Sequence, residues 1–266
     1  IYIYDTERPA IVDTGLGTNY ERILEALDEV GIAPDELDSI LLTHVHLDHA
    51  GGVGPLTSET DADVYVHASG AQFLVDPEPL WNGTKAAVGE AIQHYTEPKP
   101  ISEDRLVPIE AGDSIDLGGP TLDVHHAPGH AFHQVVFHDT ESDAVFSGDA
   151  AGIYVPTIDA VVETSPPPGF DLEQVLEDAR MIGNLGPETI CYAHFGPAPA
   201  AGRIDEYVDV ITDWVGAVER KREDLNDDDA VVDHFVESSD MVEVWGESKT
   251  SSEVAMNVRG ALHYLD

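Results

Sequence analysis

Short apolar runs at strand spacing, set between glycine- and proline-bearing turns, alternate with stretches of helical periodicity until the chain becomes wholly helical toward its end. AIVDTG at 10–15 reads as a buried strand ending in an Asp-Thr-Gly turn. Behind it, Ile23, Leu27 and Val30 fall on one helical face, Thr18 with Glu21 forms a capping box, and Gly31 supplies the stop. SILLT at 39–43 and ADVYVH at 62–67 predict two more strands, and the segment 69–105, richer in Pro and Trp, reads as helix and loop.

A second half opens near residue 106. PTLDVHH at 120–126 alternates as a strand does, and QVVFH at 134–138 and DAVFSGD at 143–149 follow at hairpin spacing. After the loop TSPPPGF at 164–170, Asp171 with Gln174 caps a helix that carries Leu172, Val175, Leu176, Ala179 and Ile182 on one face, with Gly186 beyond its end. ETICYAH at 188–194 is the last strand the pattern predicts. From about 204 onward Tyr207, Val208, Ile211, Val215 and Val218 share one helical face, as do Val254, Val258, Ala261, Leu262 and Leu265. Strands then helix, twice over, then a helical annex: two sheets packed face to face with helices outside satisfy that order.

Charge narrows the partners. Across 266 residues, 12 basic face 52 acidic side chains, a formal net charge of −40, with the acids spread along the whole chain. Such a surface suits a halophilic cell interior at molar salt, where self-repulsion is screened and solvation preserved. It excludes nucleic acid, whose phosphates need clustered Lys and Arg; ERKRE at 219–223, flanked by acids, reads as a solvated helix face. No apolar run approaches the roughly eighteen residues of a membrane span, no signal peptide is visible, and the single cysteine, Cys191, cannot form an internal disulfide. The expectation is a cytoplasmic protein without membrane or nucleic-acid partners.

Candidate chemistry sits at strand ends. LLTHVHLDHAGG at 41–52 places His44, His46, Asp48 and His49 directly after an apolar run. Three further segments each put a ligand type at a strand end beside a glycine: APGHAFH with His130, FSGDAAG with Asp149, and CYAHFGP with His194. Imidazole and carboxylate suit zinc and also accept iron or manganese. Seven such groups are too many for one tetrahedral ion and about right for two. His67, His94, His125, His126, His138, His234 and His263 read as hydrogen-bonded turn residues, Cys191 as a buried strand residue, and Trp81, Phe132 and Phe195 as core before pocket.

THVHLDH resembles the His-x-His-x-Asp-His signature of the metallo-β-lactamase superfamily, and PGH, SGD and AHFG resemble its later metal motifs in the family's order. IVDTG is similar to its early strand and turn, and the segment 69–100 and the helical end look like archaeal members with a three-helix carboxyl-terminal cover. The resemblance implies an α+β fold, a four-layer αββα sandwich over residues 1–203 with a helical appendage over 204–266. It implies a first divalent ion held by His44, His46 and His130, a second by Asp48, His49 and His194, and Asp149 bridging them. Residues two apart in an extended chain point the same way, as His44 and His46 do, whereas Asp48 and His49 lie past the turn. Gly51, Gly52, Gly129 and Gly148 are expected to let the backbone pass close to the ions. Two ions about 3.5–4 Å apart can share a hydroxide that attacks an acyl carbon or phosphorus.

Within the superfamily, true β-lactamases commonly carry Cys where this chain has Asp149, flavodiiron members replace the second motif histidine, here His46, with Glu, and transfer-RNA processing members need a basic arm. What remains is hydrolysis of a small ester or thioester, similar to glyoxalase II, with a lactonase as the alternative and a non-enzymatic metal-binding scaffold or sensor as the reading from another class. Asp48 and Tyr154 are the candidate catalytic side chains; Tyr154 could donate to a developing oxyanion or equally serve packing. The partner expected is a small-molecule substrate, and the helical end could close over the site or mediate a homodimer.

Overall fold

The computed structural model describes residues 1–164 and 166–266; Ser165, in the proline-rich loop, lies outside the described residues. Two sheets face each other. The first runs β1 (Tyr2–Tyr4), β2 (Ala10–Val12), β3 (Ser39–Leu41), β4 (Asp63–His67) and β5 (Leu106–Ile109), antiparallel at its β1–β2 edge and parallel elsewhere. The second contains β6 (Ser114–Asp116), β7 (Thr121–His126), β8 (Val135–Asp139), β9 (Ala144–Gly148), β12 (Thr189–Tyr192) and β13 (Pro197–Pro199), in the order β13-β12-β9-β8-β7-β6. A separate hairpin joins β10 (Ile153–Val155) to β11 (Ala160–Val162).

The period-2 alternation decides the layers. In the first sheet Ala10, Val12 and Leu41 point inward to meet Val124, Phe137, Phe146 and Cys191 of the second. Their neighbours Ile11, Ile40 and Leu42 point outward, against Ile23 and Leu27 of α1 (Glu21–Glu29). On the far side Val136, Val145, Ile190 and Tyr192 point outward to α6 (Leu172–Leu185) and the first half of α7 (Arg203–Leu225). Three buried clusters between four layers make an αββα sandwich.

Further short helices are α2 (Leu47–Ala50), α3 (Val53–Glu59) and α4 (Gln72–Val75), followed by α5 (Glu78–Val88). The helical end continues from α7 into α8 (Asp228–Ser238), α9 (Val242–Trp245) and α10 (Glu247–Tyr264), with Val218, Val231, Val258 and Leu262 forming its own core. No helix among the described residues is long and apolar enough to cross a membrane.

Local signals hold to different degrees. Asp171 caps α6 through its carboxylate and the Gln174 amide at 3.2 Å, and Gly186 ends that helix in the left-handed region, as expected. Thr18 is not a cap: its hydroxyl donates to the His94 carbonyl at 2.6 Å, and Tyr20 precedes α1 without a side-chain cap. Val30, placed on the buried face by periodicity, is exposed because the helix ends before it.

Candidate metal centre

The site grows from the exits of β2 and β3. After β3 the chain stays extended through Thr43 to His46, with Val45 fully buried on the opposite side, so His44 and His46 share one direction. It then turns once into α2, where the His49 and Ala50 amides both donate to the His46 carbonyl, and this turn carries Asp48 and His49. The Thr14 amide and hydroxyl both donate to the His49 carbonyl, at 2.6 and 2.8 Å, which fastens the Asp-Thr-Gly turn to α2. The Val135 amide donates to the Thr43 carbonyl at 2.8 Å and ties the first sheet to the second at the same place.

Seven side chains from four segments converge. His44 Nε2 lies 3.0 Å from His46 Nδ1, and His130 Nε2 lies 3.1 Å from that same atom. On the other side, Asp48 Oδ2 lies 3.5 Å from His49 Nε2 and 3.7 Å from His194 Nε2. Asp149 stands between the two groups: Oδ1 is 3.5 Å from both His49 Nε2 and His194 Nε2, and Oδ2 is 3.4 Å from His130 Nε2. Two triads that could each hold an ion, His44–His46–His130 and Asp48–His49–His194, are therefore joined by one carboxylate.

A cation fits the donor set. His49 Nε2 and Asp149 Oδ1 are buried and have no hydrogen-bond partner among the described residues, although they face each other. Two buried polar groups left unsatisfied in one spot call for an occupant. The tautomers agree: His49 Nδ1 lies 3.0 Å from Asp13 Oδ2 and donates to it, leaving Nε2 with its lone pair inward when neutral. Thr43 donates its hydroxyl to Asp13 and accepts from His44 Nδ1 at 3.1 Å, so His44 also presents Nε2.

The two triads differ in charge. Burial holds His44, His46 and His130 below the ordinary histidine value, helped for His44 by its histidine neighbours, and His130 falls to about 3. For His49 burial pulls the same way but Asp48, Asp149 and Asp13 outweigh it and push it up to about 10; His194 is also raised, burial there being outweighed by Asp149. Burial alone raises both carboxylates, yet His49 and His194 hold Asp48 and Asp149 below the carboxylate range. Burial thus disfavours protons on the first triad, whereas the carboxylates favour them on His49 and His194 of the second.

Tyr154 is not brought to the cluster. Its hydroxyl donates to Asp159 at 2.9 Å, its ring stacks on Tyr192 and lies under Arg203, and it packs with the outer core on the α6 side of the second sheet. The motif glycines serve close packing of neighbouring segments: a Cβ on Gly51 would meet the Leu47 and Leu16 carbonyls, on Gly52 that of Thr14, on Gly129 the Val175 amide of α6 and on Gly148 the Thr43 side chain. Phe132 and Phe195 are not core either, at 54% and 52% exposed, and they flank the site beside His133 and His194.

Sequence reasoning passed over three neighbours. Asp13, in the left-handed region at φ 59°, holds His49 and accepts from the Thr43 amide at 2.8 Å; it was legible only as part of a structural turn. His133, buried and pushed down to about 3 by burial and by His46 and His130, packs its ring 5.6 Å from that of His46. Tyr95 lines the cleft that opens beside Asp48 and His194, an approach made by a segment without regular periodicity.

The Lactamase_B family model, described as the metallo-beta-lactamase superfamily, matches residues 1–194. The chain belongs to the metallo-beta-lactamase superfamily. Among relatives, it is 31% identical over 167 residues to the metallo-beta-lactamase fold-containing protein ST1585 of Sulfurisphaera tokodaii, which covers 61% of this chain and 62% of that protein. The crystal structure of ST1585 from Sulfolobus tokodaii superposes with a TM-score of 0.74 at 21% identity over 98% of this chain and 91% of that one, so the likeness in fold includes the helical end. The acyl-coenzyme A thioesterase MBLAC2 of Gallus gallus is 31% identical over 158 residues, 54% of each chain. TTHA1623, solved in a di-iron-bound form, has a TM-score of 0.56 at 30% identity over 74% of this superfamily member and 88% of its own chain. The chain thus spans less than two thirds of the length of these two curated relatives.

Proposed function

We propose that this protein is a metal-dependent hydrolase of small esters or thioesters, with two divalent ions held by the seven clustered side chains. The observation that carries the reading is Asp149, which turns one oxygen toward each triad. His44, His46 and His130 would hold one ion and Asp48, His49 and His194 the other, with Asp149 shared. Bound there, such ions supply Lewis acidity, lowering the pKa of water and polarising an acyl oxygen.

The chain's own residues do the rest. Asp13 keeps the His49 ring in register and Thr43 does so for His44. His44, His130 and Asp149 are buried, which keeps bulk water from that half of the cluster. Asp48 and His194 face the cleft, and Asp48 enters the reaction as a carboxylate, placed to take a proton from water and pass it to the leaving group. No side chain of the cluster is a nucleophile.

A thioester is favoured by the likeness to a protein named an acyl-coenzyme A thioesterase. Zinc suits the ligands, and the likeness to a di-iron-bound protein puts iron beside it. The test uses the full chain at molar salt, stripped and reloaded with zinc, iron(II) or manganese(II), against acyl thioesters, lactones and phosphoesters. The expected result is thioester hydrolysis that depends on about two ions per chain. Stoichiometric metal with no turnover of any substrate overturns the reading in favour of a scaffold or sensor.

Asp13→Asn should weaken the second ion by about 10–100-fold, as loss of a group that orients a ligating histidine does. Chelator competition on the folded variant measures it, with the first ion as an internal control.

A further inference from the structure

The cleft beside the cluster has a volume of about 570 Å³ and runs between α1, the turn at residues 14–17 and α10. Ile3, Leu16, Ile23 and Ala26 give it an apolar side, and Asp48 and His194 mark the end at the cluster. Two cations line it from different elements: Arg22 on α1 and Lys249 on α10.

Of the 12 basic side chains of the protein, Arg8, Arg105, Arg203, Lys221 and Arg222 each pair with an acid. Neither Arg22 nor Lys249 forms an ion pair among the described residues. Lys249 is held by rings instead: its Nζ lies 5.3 Å from the centroids of both Phe195 and Trp245, and Phe195 directly follows His194. The aromatic seat fixes the ammonium at the cluster end and leaves its hydrogen-bond donors free of carboxylate.

The remaining acid in the cleft is Glu253, one helical turn from Lys249. Burial pushes its carboxyl up, with Lys249 and His194 opposing. Here two cations outside any ion pair flank an apolar wall that ends at the proposed reaction centre.

We infer that the substrate is an ester or thioester whose anionic group, carboxylate or phosphate, is gripped by Arg22 and Lys249 close to the reacting acyl, while its apolar segment lies along Ile3, Leu16 and Ile23. This rests on the hydrolase reading and adds to it a substrate class. Arginine and lysine give charge-assisted hydrogen bonds to either anion, and in a chain of this net charge they decide which molecules enter.

The test compares glutaryl and pentanoyl thioesters of one thiol, and the corresponding phosphate-terminated thioester, on the metal-loaded full chain at constant salt. The anionic substrates are expected to lead the neutral one in kcat/KM by at least about tenfold, and Arg22→Gln with Lys249→Gln to remove the lead mainly through KM. Lys249→Arg keeps it. Arg180→Gln, which removes one exposed cation on α6 far from the cleft lining, keeps it as well and separates local from overall charge. The carboxylate and phosphate arms tell the two anions apart.

Calorimetry with glutarate and with inorganic phosphate supplies a readout independent of turnover. The double variant is expected to bind the better of them at least about tenfold more weakly. Equal rates for anionic and neutral thioesters, or anion affinities unmoved in the double variant, overturn the inference. Weakened anion binding in the double variant without hydrolysis of any thioester leaves the anion site standing and removes the hydrolase reading. Arg22 and Lys249 are exposed, so neither substitution disturbs the core.

Discussion

Asp149→Ala is expected to cost on the order of a thousandfold or more in hydrolysis, the largest effect of any single substitution in this chain. Removing His46 takes one donor from the first triad and leaves the second complete. Removing Asp149 takes a donor from both, since its oxygens lie 3.4 Å from His130 and 3.5 Å from His49 and His194. Bound metal should therefore fall below that of His46→Ala, and Asp149→Asn, which keeps the shape and loses the charge, should resemble the alanine variant.

The same carboxylate stabilises the metal-free fold, because His49, His130 and His194 hold its pKa below the unfolded value despite burial. A depressed carboxyl contributes stability above its unfolded pKa and loses that contribution as pH falls through the folded one. The metal-free variant should thus show its stability deficit at neutral pH, and the deficit should shrink in acid. Denaturant titration at two pH values on the stripped proteins checks this. Equal metal content in wild type and Asp149→Ala would sink the shared role.

How much of this was legible in the sequence depended on burial. Strands with neighbours on both sides, such as AIV, SIL, VVFHD and TICY, carry apolar runs or alternation because both faces are packed, and they were readable. The strands missed are the four sheet edges, β1, β5, β6 and β13, with the outlying β10–β11 hairpin. Edges are short and half-solvated, and β5 and β13 contain proline, which an edge tolerates and a pattern reading takes for a break.

The site divides the same way. His44, His46, Asp48, His49, His130, Asp149 and His194 were visible because each ends a readable strand beside a turn, and the structure gathers all seven. Asp13 was hidden because its job is a contact across the fold, not a local spacing. Tyr154 misled because nearness in sequence to Asp149 is not nearness in space: the chain between them turns through Gly152 at φ 81° and delivers the tyrosine to the outer face of the sheet.

The two halves of the site should also part company when metal is titrated against pH. His44, His46 and His130 are held below the ordinary value by burial, His130 at about 3, so near neutrality they are ligands without a proton to expel. His49, pushed up to about 10 by Asp48, Asp149 and Asp13 against the pull of burial, and His194, also raised, must each lose a proton before ligating. The first equivalent of zinc should therefore bind with little proton release and the second with more, so that the second ion's affinity rises more steeply with pH.

The sign is opposite for the metal-free fold. A raised histidine stabilises fully below its unfolded pKa and stops doing so as pH rises through its folded one, so His49 supports the stripped protein up to about pH 10, while an ion needs that proton gone. Acidification to about pH 5 should strip the second ion and leave the first, since only the second competes with protons there. Calorimetry in buffers of different ionisation enthalpy, with metal content after dialysis, reads both quantities. Equal proton release for the two equivalents, or joint loss of both ions on acidification, would show that the electrostatic division between the triads does not govern metal uptake.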